Sequence, residues 1–330
     1  MKKRIALLYG GADSEHDVSV MGYKYVNSLL NDCPYEILPI YITRGGEWQI
    51  GDSSGTRAHL CAYEGGSLYT EYGYVPIDAV LPLLHGKLGE DGTLQGALET
   101  IGIPYVGSGV CASALCIDKH YTKQIVSALG IPTLDSIPFS CRTDTEAALA
   151  RCKSRIGLPM FIKPRRLGSS VGAYPVYTDD DFRKFFPLAM REGENLVMAE
   201  KMLTDKRELE CAFCEVDARR IVTAPGEVLI DGFYGYNEKY GGQTKVCSKA
   251  EVDKEIFDMI SDYSHRIAEA LMLRHLARID FFLSGGTLYF NEVNTIPGFT
   301  SESLYPKMLE VSGISPRDAI LSFIEDALSC

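Results

Sequence analysis

The sequence is short of positive charge. Its 33 lysines and arginines are outnumbered by 44 aspartates and glutamates, which gives a formal net charge of −11 at pH 7. A protein with this balance has no overall positive field to collect nucleic acid or anionic lipid, so neither is expected as a partner. Any anionic ligand must be bound by a local cluster of basic groups.

The sequence also lacks a long hydrophobic run. No segment approaches the roughly 20 apolar residues that a transmembrane helix needs. The basic start at Lys2 is followed by apolar residues only as far as Gly10, and charges follow at once, which favours a first buried strand over a signal peptide. We therefore expect a cytoplasmic protein with no membrane partner.

Clustered cysteines are missing as well. The 10 cysteines are scattered, and the single close pair is Cys211 and Cys214. This pair lies in a segment that alternates like a strand, so its side chains should point to opposite faces, and no second CxxC motif or nearby histidine pair completes a zinc site. Both cysteines are predicted to be structural.

What is present is enough apolar sequence for a large core. With 330 residues and 46% apolar content, the chain is expected to form two or three domains. Strand patterns alternate with helical ones at the start, which predicts a largely parallel open sheet whose ligands gather in the loops 10–17 and 85–92. One apolar face of the first helix consists of Val18, Met21, Tyr25 and Leu29.

The rest of the chain divides at Gly107. A small α+β unit follows and ends with a strand near Met202, after which strands resume at about Glu208. A polar, Gly- and Tyr-rich connection at 231–249 is long enough to be either functional or disordered. We predict domains over residues 1–107, 108–202 and 203–330.

Three oxygen-bearing side chains come together in a predicted hairpin near the C-terminus. If residues 285–287 form a three-residue turn, Asp280 lies directly opposite Glu292. Asn294 follows two positions later on the same face, and such oxygens are the ligands that Mg²⁺ prefers. A two-residue turn would place Asp280 and Glu292 on opposite faces, because a one-residue slip reverses every side chain. An ordinary solvent-facing hairpin is the alternative.

A glycine-rich loop at 168–172 follows a predicted strand that ends at Lys163. Loops with backbone donors and small hydroxyls can wrap phosphate oxygens, although this one lacks the GxxxxGK[ST] spacing of a Walker A loop. Lys119 and Lys163 can both reach a cleft between the middle segment and the hairpin, where their charge would offset a triphosphate. A surface hairpin and solvated lysines are the alternatives.

Together and in order, these segments resemble the D-alanine–D-alanine ligases, ATP-grasp enzymes of cell-wall synthesis. The matching segments are 10–19, 85–93, 116–119, 161–164, 168–172, 238–240, 278–280 and 291–301. The resemblance implies a three-domain ATP-grasp architecture of α/β and α+β type, with an N-terminal open parallel α/β (preATP-grasp) domain. It implies synthesis of a D-amino-acid dipeptide through an acyl phosphate, with release of ADP and phosphate, for peptidoglycan precursors.

The resemblance also implies a role for individual residues. Those that would bind ATP are Lys119, Lys163, Glu200, Lys201, Leu203, Glu208 and Lys239. Those that would bind two magnesium ions, for which manganese can substitute, are Asp280, Glu292 and Asn294. Those that would act in catalysis are Glu15, Ser169, Tyr240, Arg278 and the backbone of Gly298. Those that would bind the amino-acid substrates are His85, Ser303 and Leu304. The segment 231–249 would form a lid, and the family is commonly dimeric, so a homodimer is implied.

Some positions depart from the family pattern. Gly235 stands where the family usually has aspartate, and Ser248 and Lys249 stand where a proline is common before Ala250. Glu302 stands where a histidine usually lies beside the carboxylate of the second substrate. A carboxylate there would repel that anion unless it points away or is neutralised.

Other positions bear on the identity of the second substrate. Tyr240 resembles that of the dipeptide-forming members rather than the D-lactate-using ligases, which lack it, and Leu304 resembles that of D-alanine users. The segments 85–87 and 291–301 resemble the D-serine type. D-alanine is the expected substrate. A D-alanine–D-serine ligase, another carboxylate–amine ligase and a non-catalytic ATP-binding protein stay open as alternatives.

Overall fold

The computed structural model describes residues 2–12, 14–62, 66–229 and 245–329. Within these ranges the strands form a seven-stranded, a four-stranded and a six-stranded sheet, in that order along the chain. None of the helices in these ranges is long and apolar enough to span a bilayer.

The first sheet has a parallel centre and an antiparallel extension. Its strands are β1 (Arg4–Gly10), β2 (Glu36–Ile42), β3 (Trp48–Ile50), β4 (Thr56–Cys61), β5 (Ser67–Thr70), β6 (Gly73–Pro76) and β7 (Ala79–Pro82). β1 pairs in parallel with β2 and β7, which confirms the predicted parallel sheet for these three strands. β3 to β6 continue the sheet antiparallel, because their short connections cannot make a parallel crossover.

Helix α1 (His16–Leu29) packs on this sheet with a different face from the apolar one in the sequence. Its buried positions are His16, Ser19, Gly22 and Val26. The Ser19 hydroxyl accepts from the Gly10 N–H and donates to the Leu83 carbonyl, which ties the helix to the sheet, and a Cβ at Gly22 would lie 3.5 Å from the Phe299 carbonyl. Val18, Met21 and Tyr25 instead line a cavity, so the apolar periodicity marked the side of the helix that faces this cavity.

The second sheet is antiparallel and is covered by two helices. After α2 (Thr93–Ile101), α3 (Val110–Ile117) and α4 (Lys119–Ala128), it comprises β8 (Ser136–Ser140), β9 (Met160–Pro164), β10 (Tyr174–Val176) and β11 (Leu196–Lys201), with α5 (Thr145–Arg155) and α6 (Asp179–Glu192). The buried Asp118 separates α3 from α4. Its carboxylate accepts from the His120 N–H and from Arg165, which fixes Lys119 as the first residue of α4.

The third sheet has apolar clusters on both faces. Its strands are β12 (Arg207–Val216), β13 (Arg219–Val222), β14 (Gly226–Leu229), β15 (Lys245–Cys247), β16 (Leu276–Ser284) and β17 (Thr287–Asn294), accompanied by α7 (Lys254–Ala270), α8 (Leu304–Val311) and α9 (Pro316–Ser329). Cys211 packs in one cluster with Phe281, and Cys214 in another with Tyr305. Their predicted structural role and opposite orientations are confirmed.

Candidate active site

The hairpin β16–β17 pairs Asp280 with Glu292 as predicted, but its turn differs from the predicted one. Ser284 pairs with Thr287 across a two-residue turn of Gly285 and Gly286, whose φ angles are +54° and +76°, so the predicted three-residue turn is wrong. A bulge then inserts Asn291 between the pairs Phe281–Phe290 and Asp280–Glu292. Because the extra residue compensates for the shorter turn, Asp280 lies opposite Glu292 as predicted.

An ion-paired network surrounds this pairing. Arg278 donates to both carboxylate oxygens of Asp280, at 2.8 and 2.7 Å, and its Nε lies 3.1 Å from a carboxylate oxygen of Glu210. Asn294 donates to Asp280 at 3.1 Å. Burial alone would lower the pKa of Arg278, but Asp280 and Glu210 raise it well above its usual value, so the guanidinium stays charged.

The two predicted phosphate-binding lysines each contact a carboxylate. Lys119 Nζ lies 3.0 Å from Glu292 Oε2 and donates to the Leu167 carbonyl at 2.7 Å. Lys163 Nζ lies 2.6 Å from Glu200 Oε2. Both ammonium groups are therefore held at the wall of the same cavity.

Glu200 has a second counter-ion that the sequence did not reveal. Lys123 Nζ lies 2.8 Å from Glu200 Oε1, and the two side chains are only 2% and 3% exposed. Burial would raise the pKa of Glu200, but Lys123 and Lys163 outweigh it and hold that pKa at about 2. The carboxylate is thus ionised and fixed between two lysines.

The glycine-rich loop reaches across to the first sheet. Ser169 donates to Glu15 Oε1 at 2.6 Å. A Cβ at Gly168 would lie 3.4 Å from Glu15 Oε2, so the loop backbone lies tightly against this carboxylate. Ser169 and Ser170 both have left-handed φ angles, of +51° and +58°, a strained conformation that is typical of ligand-binding loops.

The segment after β17 and the loop that carries His85 line one cavity. His85 Nδ1 donates to the Ile296 carbonyl at 2.8 Å. Ser303 is the N-cap of α8, and its hydroxyl lies 2.8 Å from that of Thr300. A Cβ at Gly298 would lie 3.1 Å from Ser303 Oγ, so a side chain there would press against the Ser303 hydroxyl.

Two adjoining cavities bring these residues together. The first has a volume of about 670 Å³ and also contains Lys201, Leu203 and Glu208. The second has a volume of about 800 Å³ and contains Glu15, His85, Gly298, Ser303 and Leu304. The residues common to both are Lys119, Gly168, Ser169, Glu210, Val228, Arg278 and Glu292. Lys239, Tyr240, Gly235 and most of the predicted lid at 231–249 lie outside the described residues.

Glu302 lies at the rim of the second cavity. Its side chain is 87% exposed and lies 2.9 Å from Lys307 Nζ. The hydrogen bond from Lys307 lowers the pKa of Glu302, so the carboxylate stays ionised and is paired with a lysine. Its exposure to solvent and this partner both weaken the repulsion of a substrate carboxylate expected at this position.

The donor set suits a hard cation that is bound together with phosphate. The described residues contain no group of three His, Cys, Asp or Glu side chains placed to hold a metal by themselves. Asp280, Glu292 and Asn294 offer oxygen atoms on one face, and the neighbouring Asn291 Oδ1 is buried without a hydrogen-bond partner in the described part of the chain. Mg²⁺ is usually bound by one or two protein carboxylates together with oxygen atoms of the substrate, so the residues fit this ion.

Three residues of this region were missed by sequence reasoning. They are Lys123, Glu90 and Glu210. Each contacts a residue distant in the sequence, which local patterns do not reveal. The available signals were that Lys123 follows Lys119 by four residues on a helix, where positions i and i+4 share a face, and that Glu90 lies in the matching segment 85–93.

Comparison with known proteins gives a consistent result. Sequence models described as D-ala D-ala ligase N-terminus and D-ala D-ala ligase C-terminus match residues 4–108 and 125–325. A D-alanine–D-alanine ligase of Thermoanaerobacter sp. (strain X514) is 38% identical over 336 residues, covering 95% of this chain and 93% of its own. One of Treponema pallidum (strain Nichols) is 37% identical over 351 residues, covering 98% and 87%.

Solved structures agree with these relatives. D-alanyl-alanine synthetase A from Vibrio cholerae superimposes with a TM-score of 0.91 at 33% identity, covering 100% of this chain and 99% of its own. VanG D-Ala:D-Ser ligase from Enterococcus faecalis gives a TM-score of 0.89 at 34% identity, covering 99% and 100%. The ATP-grasp architecture expected from the sequence is confirmed, and the chain belongs to the D-alanine–D-alanine ligase family.

Proposed function

We propose that the protein joins two molecules of D-alanine into a dipeptide while ATP is converted to ADP and phosphate. The observation that carries the proposal is the common wall of the two cavities, which contains Lys119, Arg278 and Glu292. A nucleotide in the first cavity and a small acid in the second would meet there. That arrangement favours phosphoryl transfer between two ligands over nucleotide binding alone.

The first cavity is the proposed nucleotide site. Its volume lies within the roughly 300–1,000 Å³ typical of small-molecule sites. Apolar side chains such as Phe161, Met202 and Phe281 line it beside Lys163 and the acidic Glu208, which suits a flat base attached to a polar sugar and phosphates. Glu200, Lys201 and Leu203 lie along the same cavity, which supports the ATP-binding role expected for them.

Magnesium is the proposed metal, with Asp280, Glu292 and Asn294 as its protein ligands. Bound there, it would neutralise phosphate charge and polarise the transferred group. Two ions, and replacement by manganese, are part of the proposal. The fit rests on the oxygen donors of one hairpin face and on the unpartnered Asn291 Oδ1 among the described residues.

The chain's own groups would prepare the first substrate. Glu15, fixed by the Ser169 hydroxyl at 2.6 Å, would bind the ammonium of the first D-alanine. The carboxylate of this D-alanine would attack the γ-phosphate, and Arg278, which stays cationic, would stabilise the oxyanion that forms in the next step. Lys119 and Lys163 would stabilise the negative charge on the phosphates. The product of this step is an acyl phosphate.

The second substrate would then attack the acyl carbon with its amine and displace phosphate. The N-terminus of α8 at Ser303 and Leu304 would bind its carboxylate, since the N–H groups at a helix start attract anions. The Gly298 backbone would stabilise the developing oxyanion. An acyl phosphate hydrolyses in water, which is why a lid at 231–249, with Lys239 and Tyr240, remains part of the proposal.

Phosphate release and product mass test the proposal directly. Purified protein with ATP, magnesium and D-alanine should release phosphate and form D-alanyl-D-alanine, whereas L-alanine should not support release. ATP binding by calorimetry without phosphate release from any D-amino acid would favour the non-catalytic alternative and refute ours.

A D-alanine–D-serine ligase is the second candidate, favoured by the likeness to VanG D-Ala:D-Ser ligase. Competition between D-alanine and D-serine as second substrate, resolved by mass spectrometry, separates the two. The resemblance also leads us to propose a cytoplasmic homodimer, which size-exclusion chromatography with light scattering would test.

A further inference from the structure

The buried carboxylate of Glu90 has no role in the reaction as proposed above. Glu90 lies in the loop after β7 and is 7% exposed. Its Oε2 accepts the N–H of Gly86 at 2.9 Å, and its Oε1 accepts the N–H of Ile296 at 2.8 Å. Glu90 and Ile296 are 206 residues apart, so one carboxylate joins the loop after β7 to the segment after β17.

Ile296 is held by a second side chain of the same loop. The His85 ring donates from Nδ1 to the Ile296 carbonyl at 2.8 Å. Since a carbonyl can only accept, Nδ1 carries a proton. Each of the two peptide groups that flank Ile296 is therefore fixed by one side chain, Glu90 on the N–H side and His85 on the carbonyl side.

Burial makes the Glu90 carboxylate unfavourable in free energy unless all of its hydrogen bonds are formed. A carboxylate removed from water is stable only when hydrogen bonds replace its hydration. Burial raises the pKa of Glu90, and His85 with the two N–H groups of Gly86 and Ile296 opposes that shift. Removing the carboxylate would leave two buried N–H groups without their acceptor.

We propose that Glu90 is a positioning residue for the ligase reaction. It fixes the segment that carries Gly298, two residues beyond Ile296, against the loop after β7. The backbone that would bind the oxyanion then keeps one spacing from Glu15, which belongs to the loop after the neighbouring strand β1. The inference rests on the proposed function, because the role of Gly298 gives this spacing its catalytic meaning.

The test compares Glu90→Gln with Glu71→Gln, which alters an exposed carboxylate of the same sheet. We expect Glu90→Gln to lower kcat by roughly 10- to 100-fold, the range for small misplacements of catalytic groups. The KM for ATP should stay unchanged, because Glu90 does not line the nucleotide cavity. Hydrogen exchange of the Ile296 amide should accelerate. Glu71→Gln should behave as wild type in all three measurements.

A purely structural role would lower the melting temperature of the variant and leave kcat of the folded protein unchanged, which would overturn the proposal. If Glu90→Gln does not fold, Glu90→Asp, which keeps the charge on a shorter side chain, decides by the same comparison. Wild-type protein that forms no dipeptide would refute the proposed function. Normal wild-type turnover together with normal turnover of the Glu90 variant would refute this inference alone.

Discussion

Replacing Lys123 by methionine should destabilise the fold by about 3–5 kcal/mol, the usual cost of removing one partner from a buried ion pair. The reason is that Glu200 would lose Lys123 Nζ at 2.8 Å, the more deeply buried of its two counter-ions, and keep Lys163 Nζ at 2.6 Å alone. The direction of the Glu200 pKa agrees with this, because Lys123 and Lys163 together lower it against the effect of burial.

Urea unfolding of four proteins at neutral pH measures this energy: wild type, Lys123→Met, Glu200→Gln and the double variant. The double variant should recover much of the loss of Lys123→Met, because the charge that then lacks a partner is that of Lys163, which is 15% exposed and reaches solvent, whereas the fully buried charges are gone. Losses that simply add in the double variant would refute the reasoning. So would a Lys123→Met variant as stable as wild type.

The same carboxylate predicts a dependence on pH. Its pKa is lower in the folded than in the unfolded state, so its contribution is present above pH 4.5 and is lost as the pH falls toward 2. Acidification from neutral pH to about 3 should therefore destabilise wild type more than Glu200→Gln. Equal losses in the two proteins would contradict the pKa direction.

Three further substitutions test other parts of the site. Asp280→Asn should lower kcat by about 10²–10³-fold in the phosphate-release assay, because it removes a negative charge that pairs with Arg278 and would bind the proposed metal. A normal rate would refute the metal assignment. Gly226→Ala places a methyl group 2.9 Å from Leu304 Cδ2. The variant should have a higher KM for the second amino acid, and its free energy of unfolding in urea should be lower by about 1–3 kcal/mol. An unchanged KM would contradict this. Glu302→Gln should leave turnover unchanged, since the side chain is 87% exposed; a large change in the second-substrate KM would show that its charge reaches the cavity.

The hairpin β16–β17 shows which features of the site can be predicted from the sequence and which cannot. The oxygen-bearing residues Asp280 and Glu292 were recognisable, and their pairing was predicted correctly. The turn was not, because Gly285 and Gly286 suit a two-residue turn as well as a longer one. The compensating bulge at Asn291 has no sequence pattern of its own, since any residue can occupy such a position.

Helix α1 shows a second limit. The period of its apolar residues was read correctly, but periodicity does not say what an apolar face contacts. Ser19 bonds to the backbone at Gly10 and Leu83, Gly22 faces Phe299, and Met21 lines a cavity instead. The contact between Glu90 and Ile296 could not be predicted from the sequence for a related reason, because local patterns carry no information on pairs 206 residues apart.

The ion pair between Lys119 and Glu292, 3.0 Å apart, has a consequence for the order of ligand binding. The group expected to meet phosphate and the group expected to meet the cation are already each other's partner. A phosphate that takes Lys119 releases Glu292, and a cation that takes Glu292 releases Lys119. By thermodynamic reciprocity each ligand strengthens the binding of the other by the same factor. Affinities measured for ATP and for magnesium separately should therefore understate the affinity for their complex.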